Sequence, residues 1–164
     1  MTDSFSRKHL DEMGFAAPTQ LGLAASRAWI PSRSGVYVVL LDPPEADFLS
    51  RSVGGHFKRL DPTVTTGVLE AKWVPDTPTM YIGRANDLHT RIGLLRRYGE
   101  SEPVAHRGGR YLWQLAKHES LQVTWRPDSD PVAAEAKLLD EFEAVFGTLP
   151  FANLVRGARP MVAV

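Results

Sequence analysis

Residues 35–41 (GVYVVLL) constrain the fold more than any other part of the chain. Seven consecutive β-branched and apolar residues, closed by the prolines at positions 43 and 44, are typical of a buried strand. Residues 80–83 (MYIG) predict a second strand, and residues 121–126 (LQVTWR) alternate apolar and polar side chains as a half-buried third strand does. The chain therefore predicts a small sheet of three strands.

Helical periodicity separates and follows these strands. Residues 131–146 form the clearest predicted helix, with Asp130 as N-cap, Pro131 at the first helical position and Gly147 at the end. Residues 88–98 place an apolar stripe on one helix face, and shorter helices are predicted over 20–29 and 110–117. Strands and helices in this order predict a small α+β domain.

The 164 residues suit one domain with one insertion. We predict an N-terminal segment over 1–33, a domain over 34–155 and a C-terminal tail over 156–164. Residues 42–79 are rich in proline and have no sustained period, so they are interpreted as an insertion between the first two strands.

Composition narrows the possible functions. The chain has no cysteine, which excludes thiolate zinc sites, iron–sulfur clusters and cysteine nucleophiles. No apolar run approaches the roughly 20 residues of a membrane helix, and the first residues lack a signal-peptide core, so we expect a cytoplasmic protein that does not enter membranes. Lys and Arg total 19 and so do Asp and Glu, so any nucleic-acid binding must depend on local charge.

Three residues stand out against this background. A helical projection puts Glu135 in the middle of the apolar stripe of the last helix, where a carboxylate is costly unless it is paired or binds a metal. The alternative is a first-turn residue that favours the helix dipole. Tyr37 and Tyr81 each lie in a strand beside a glycine, a pattern that by itself is also compatible with core packing.

Together these residues form an ordered pattern, and the chain resembles the GIY-YIG nuclease family. The matching motifs are Gly35-Val36-Tyr37, Tyr81-Ile82-Gly83-Arg84, Arg91, Glu135 with Leu138, Leu139 and Phe142, and finally Pro150-Phe151-Ala152-Asn153. They occur in the family's order and span most of the chain. Glu141 lies closer to Asn153 and is the rival carboxylate, but the leucine offsets and the helical projection favour Glu135.

The resemblance implies a mainly antiparallel three-stranded sheet flanked by helices, and a divalent-metal-dependent endonuclease that hydrolyses DNA phosphodiester bonds. Glu135 would bind Mg²⁺ or Mn²⁺, and Arg91 would neutralise charge on the phosphate. Tyr37 and Tyr81 would orient or deprotonate the attacking water; which one is the base stays open. A tyrosine base needs a nearby cation to lower its pKa. Asn153 would hold the floor of the site.

Local charge predicts where DNA binds. Six arginines lie between positions 84 and 110, and His106 to Arg110 combines a glycine pair with two arginines. The predicted nucleic-acid contacts are Arg84, Arg96, Arg97, His106, Arg107, Arg110 and Lys58. A helix cap with a solvated basic rim is the alternative. Because few phosphate contacts imply weak affinity for DNA, we expect that a homodimer or a protein partner increases this affinity. A non-catalytic nucleic-acid-binding module on the same fold is the alternative function.

Overall fold

A computed structural model describes residues 3–156, which fold around a four-stranded antiparallel sheet. The strands are β1 (Thr19–Gln20), β2 (Gly35–Leu40), β3 (Thr79–Ala85) and β4 (Gln122–Pro127), in the spatial order β1-β4-β2-β3. The α+β class is confirmed, whereas the prediction of three strands is wrong by one. β1 has only two residues, paired with β4, and is too short to carry a hydrophobic pattern.

Four α-helices and four 3-10 helices surround the sheet within the described residues. The α-helices are α1 (Arg7–Glu12), α2 (Thr66–Lys72), α3 (Leu88–Gly99) and α4 (Pro131–Phe146), and the 3-10 helices cover Ala24–Trp29, Phe57–Arg59, Arg107–Gln114 and His118–Ser120. α4 has the predicted bounds: Asp130 accepts a hydrogen bond from the Ala133 amide, and Gly147 ends the helix at φ 77°. None of these helices is long and apolar enough to span a membrane.

The helix predicted over 110–117 is instead a 3-10 helix, Arg107–Gln114, with a kink at Gly109. Leu115 leaves the helical conformation and forms an isolated bridge with Phe48 of the insertion. A partner distant in sequence thus ends the element before an α-helix could continue. The apolar positions predicted to face inward, Tyr111, Leu112 and Leu115, are buried.

The side chains of β2 alternate between two hydrophobic cores, one on each face of the sheet. Val36 and Val38 face the core that contains Leu138 and Phe142 of α4. This core also contains Phe5, Leu10 and Phe15, so the predicted N-terminal segment 1–33 contributes to it. Tyr37 and Val39 face the second core, where α3 and the 3-10 helix Arg107–Gln114 pack.

β3 is an edge strand, and the chain after α4 covers its free edge. The Ala152 amide donates to the Met80 carbonyl at 2.8 Å. The Asn153 side chain accepts from the Ile82 amide at 2.9 Å and donates to the Ile82 carbonyl at 2.8 Å. These contacts satisfy strand groups that would otherwise lack partners. The predicted tail over 156–164 lies, apart from its first residue, outside the described residues.

The segment predicted as an insertion lies between β2 and β3 and contains α2 and the 3-10 helix Phe57–Arg59. Gln114 fastens it to the domain. This fully buried side chain donates to the Leu49 and Val64 carbonyls at 3.0 and 2.7 Å, and accepts from the Val64 amide at 3.0 Å. The insertion is therefore held by polar contacts from within the second core.

Candidate active site

An open cleft of about 610 Å³ lies at the end of β3. It draws its lining from β2, β3, α3, α4, the 3-10 helix Arg107–Gln114 and the segment after α4. All five residues predicted to act in catalysis line it, namely Tyr37, Tyr81, Arg91, Glu135 and Asn153. The structure thus brings together residues that lie far apart in the sequence.

The sheet register explains the glycine of the second motif. Tyr37 is paired with Gly83, and the Tyr37 ring lies directly over that glycine. A Cβ atom at Gly83 would lie 2.4 Å from Cζ and 2.6 Å from the hydroxyl oxygen of Tyr37. Any side chain at this position would therefore displace the tyrosine.

Three aromatic rings meet beside the cleft. The ring centroids of Tyr37 and Tyr81 are 6.0 Å apart, and His106 lies 6.4 Å from Tyr37 and 6.1 Å from Tyr81. The Tyr37 hydroxyl and the His106 Nε2 atom form a hydrogen bond of 2.9 Å. Tyr37 and His106 are therefore a bonded pair in the interior, with Tyr81 packed against both.

The burial of His106 corrects one prediction. Its exposed fraction is 0%, so the side chain cannot contact a nucleic acid at the surface. Burial, followed by the positive charge of Arg91, lowers the pKa of His106 from 6.5 to about 3. The ring is therefore neutral at pH 7, and one of its nitrogens can accept a proton in a hydrogen bond.

The two tyrosines do not have the lowered pKa that a base would need. Burial raises the pKa of Tyr37 well above its ordinary value, and the neighbouring Tyr81 raises it further. Burial also raises the pKa of Tyr81. The Arg91 guanidinium lowers the pKa of both phenols, but desolvation is the larger effect. The positive charge of Arg91 therefore lowers the pKa of each phenol by less than burial raises it.

Arg91 reaches the cleft from the first turn of α3. The Asp87 carboxylate caps this helix by accepting from the Thr90 amide at 3.0 Å. The half-buried Arg91 side chain donates through Nη1 to the Ala105 carbonyl at 2.8 Å. A guanidinium has five donors, so this contact leaves others available for a ligand.

Glu135 enters the cleft from α4, and Arg84 meets it from β3. Arg84 Nη1 donates to Glu135 Oε1 at 2.7 Å, with side chains 30% and 8% exposed respectively. Burial raises the pKa of Glu135, although Arg84 opposes that shift. Glu141, the rival carboxylate, is exposed on α4 and does not line the cleft. The geometry therefore favours Glu135 over Glu141 as the carboxylate of the cleft.

The cleft offers few groups that could bind a metal ion. Among residues 3–156 no group of three or more His, Cys, Asp or Glu side chains could hold an ion. Two carboxylates line the cleft, and Asp87 is engaged in capping α3. Glu135 alone fits Mg²⁺ or Mn²⁺, because Mg²⁺ keeps several waters and is commonly bound by one or two carboxylates together with substrate phosphate. A fully protein-enclosed metal does not fit.

Asn153 acts through the backbone. Both ends of its amide are engaged with Ile82, one residue beyond Tyr81. The amide therefore fixes the edge of β3 under the cleft.

The predicted nucleic-acid contacts divide into two groups. Arg84 and Arg110 line the cleft, Arg107 donates to the Leu60 carbonyl of the insertion, and Lys58 is exposed on the insertion. Arg96 and Arg97 do not line it: Arg96 pairs with Glu100 at 2.7 Å and Arg97 with Glu102 at 3.1 Å. These two arginines are neutralised locally, which favours the alternative of a solvated rim for them.

Sequence reasoning missed several lining residues. Asn86, Asp87, Thr90 and Leu94 border the cleft beside the predicted set. The pair of Asp87 and Thr90 at N-cap spacing was a readable signal. The role of His106 as partner of Tyr37 had no such signal, because it depends on the path of the loop after α3.

No family model matches the chain, and no match was found among curated proteins or solved structures.

Proposed function

We propose that the chain is a divalent-metal-dependent endonuclease with a GIY-YIG-type active site that hydrolyses phosphodiester bonds of DNA. One observation carries the proposal. A single cleft is lined by the five residues selected from motifs spread across the sequence, namely Tyr37, Tyr81, Arg91, Glu135 and Asn153. Accidental motif matches would have no reason to meet at one place.

The cleft contains the groups that phosphodiester hydrolysis needs. The reaction requires an activated water, stabilisation of charge on the phosphate oxygens and assistance to the leaving alkoxide. Arg91, presented from a rigid helix, can bind phosphate oxygens through its free donors. Tyr81 has the more exposed phenol of the pair and can hydrogen-bond the attacking water.

The hydrogen bond between Tyr37 and His106 orients the buried phenol beside the cleft. The neutral His106 accepts a hydrogen bond from the Tyr37 hydroxyl in the tautomer with a bare Nε2 atom. Because the pKa of His106 is about 3, the ring stays neutral at pH 7 and fixes the Tyr37 hydroxyl without taking its proton. Which of the two tyrosines acts on the attacking water stays open, because burial raises the pKa of both.

Glu135 would hold the metal ion. When bound, Mg²⁺ or Mn²⁺ would act as a Lewis acid on a phosphate oxygen and lower the pKa of a coordinated water. The place of Glu135 in the cleft lining favours this role, since Mg²⁺ is commonly held by one or two carboxylates together with substrate phosphate.

DNA would extend from the cleft over the insertion. Arg110, in the cleft lining, donates to the Arg107 carbonyl, and Arg107 donates to the Leu60 carbonyl of the insertion at 3.2 Å. Next to Leu60, Lys58 and Arg59 are exposed at left-handed φ of 53° and 63°. Such strain in non-glycine residues often accompanies function. A line of cations thus joins the cleft to the insertion and suits a phosphate backbone.

The test is cleavage of supercoiled plasmid in Mg²⁺ or Mn²⁺ at low salt by the parent, Glu135→Gln and Glu141→Gln. The two variants change carboxylates of the same helix, one in the cleft and one exposed. We expect cleavage by the parent and Glu141→Gln, and loss by at least about 100-fold in Glu135→Gln. Loss in Glu141→Gln with activity in Glu135→Gln would refute the site.

A second candidate is a nucleic-acid-binding module with little catalysis. The ion pair of Arg84 with Glu135 favours it, because the proposed metal ligand already has a cation beside it. Binding of labelled duplex with no cleavage in either metal would support this candidate.

Light scattering with and without DNA tests the expected homodimer, and cleavage gained on adding a cell extract would indicate a protein partner.

A further inference from the structure

The ion pair of Arg84 and Glu135 occupies the carboxylate that would bind the metal ion. Arg84 Nη1 lies 2.7 Å from Glu135 Oε1, inside the cleft. β3 carries Arg84 on the sheet face toward α4, since it pairs with Val36, whose side chain lies in the core on that face. The free protein thus presents a carboxylate that already has a cation.

A second cation at this carboxylate would be opposed by the first. The guanidinium and a divalent ion at the same carboxyl group repel each other, and little water is present to screen them because Glu135 is only 8% exposed. Metal binding is therefore strongest when the guanidinium has moved away. Arg84 is 30% exposed, so its head can turn toward the open cleft.

We propose that Arg84 is a latch on Glu135: it weakens metal binding to the free protein and releases the carboxylate when a DNA phosphate binds the guanidinium. This inference rests on the proposed function and adds regulation to the same site. A guanidinium matches two phosphate oxygens in a bidentate contact. Once Arg84 has turned away, the carboxylate is buried without a partner, a state that a cation relieves.

DNA and metal consequently bind cooperatively. By linkage, the factor by which DNA increases metal affinity equals the factor by which metal increases DNA affinity. Coupling between ligand sites is typically about 5- to 150-fold, and we expect about tenfold here. Removing the latch would increase metal affinity without DNA and abolish most of the coupling.

The experiment measures Mn²⁺ binding to the full chain by electron paramagnetic resonance, without DNA. The proteins are the parent, Arg84→Gln, and Arg97→Gln as a matched control that breaks an exposed arginine–glutamate pair outside the cleft lining. We expect Arg84→Gln to bind Mn²⁺ about tenfold more tightly than the parent, and Arg97→Gln to bind like the parent. Arg84→Lys keeps the charge and is expected to lie between them.

Two outcomes overturn the inference in distinguishable ways. If Arg84→Gln binds Mn²⁺ no more tightly than the parent, while adding Glu135→Gln abolishes binding, then Glu135 is the ligand and the latch is wrong. If Glu135→Gln leaves Mn²⁺ binding unchanged in the Arg84→Gln background, the metal site of the proposed function fails as well. A second readout is the anisotropy of a labelled duplex, where Mn²⁺ is expected to increase DNA affinity in the parent and much less in Arg84→Gln.

Discussion

The buried His106 makes the stability of the fold dependent on pH. The folded protein keeps this ring neutral down to a pKa of about 3, whereas an exposed histidine titrates near 6.5. Between these values the unfolded chain binds a proton that the folded chain does not. The free energy of unfolding therefore falls as the pH is lowered through this window.

The size of the effect follows from the two pKa values. From pH 7 to pH 5 an unfolded histidine becomes almost fully protonated, while His106 in the folded state stays neutral. The resulting loss of stability is about 2 kcal/mol, approaching a slope of about 1.4 kcal/mol per pH unit. Full burial of the ring means that solvent screening does not reduce this figure.

The assay is urea denaturation at pH 7 and pH 5 for the parent and His106→Gln. The variant has its own stability, but we expect it to lose about 2 kcal/mol less than the parent on acidification. Other groups, including Glu135, occur in both proteins and cancel. Tyr37→Phe, which leaves the buried histidine ring in place, is expected to keep the parental pH dependence. Equal losses in the parent and His106→Gln would refute the reasoning.

Three further predictions concern packing around the site. Gly83→Ala would put a Cβ atom 2.4 Å from Tyr37 Cζ, so we expect the free energy of unfolding to fall by about 1–3 kcal/mol and plasmid cleavage to be lost. A melting temperature close to that of the parent would contradict the contact. Asn153→Ala removes two buried hydrogen bonds to Ile82, so we expect it to lower the free energy of unfolding, measured by urea titration, by about 2–4 kcal/mol. Hydrogen exchange at the Ile82 amide is expected to be faster than in the parent, and unchanged exchange there would argue against the edge contact. Gln114→Ala leaves insertion backbone groups unsatisfied, and limited proteolysis is expected to cut residues 42–78 faster than in the parent; equal rates would show that other contacts hold the insertion.

Periodicity predicted the long elements well because their own residues determine them. α4 has its cap, its N1 proline and its terminating glycine within the sequence, and its predicted bounds are correct. β1 and α1 were missed, since two and six residues carry too little pattern, and Leu10 is the buried residue of α1. The 3-10 helix Arg107–Gln114 was predicted as an α-helix because its end depends on contact with Phe48.

The candidate site divides in the same way. The five motif residues could be predicted from the sequence because their order and spacing define the motifs, and all five line one cleft. The ion pair that holds Glu135 was not predicted, since Arg84 was assigned to DNA and nothing local joins strand β3 to helix α4. The hydrogen bond of His106 with Tyr37 likewise joins a loop to a central strand. Contacts between elements distant in sequence are the part that pattern reasoning does not reach.

The order of strands also determines when the cleft can exist. β2 pairs with β3 and β4, and both partners follow it only after long intervening segments, so its pairing is non-local and slow to form. Asn153, which closes the edge of β3, follows all four strands in the chain. A ribosome-bound chain that ends before this residue has every motif but the last and an open strand edge. If the cleft cuts DNA, cutting therefore begins only after synthesis has passed Asn153, so the order of the motifs along the chain delays the activity until the edge of β3 is closed.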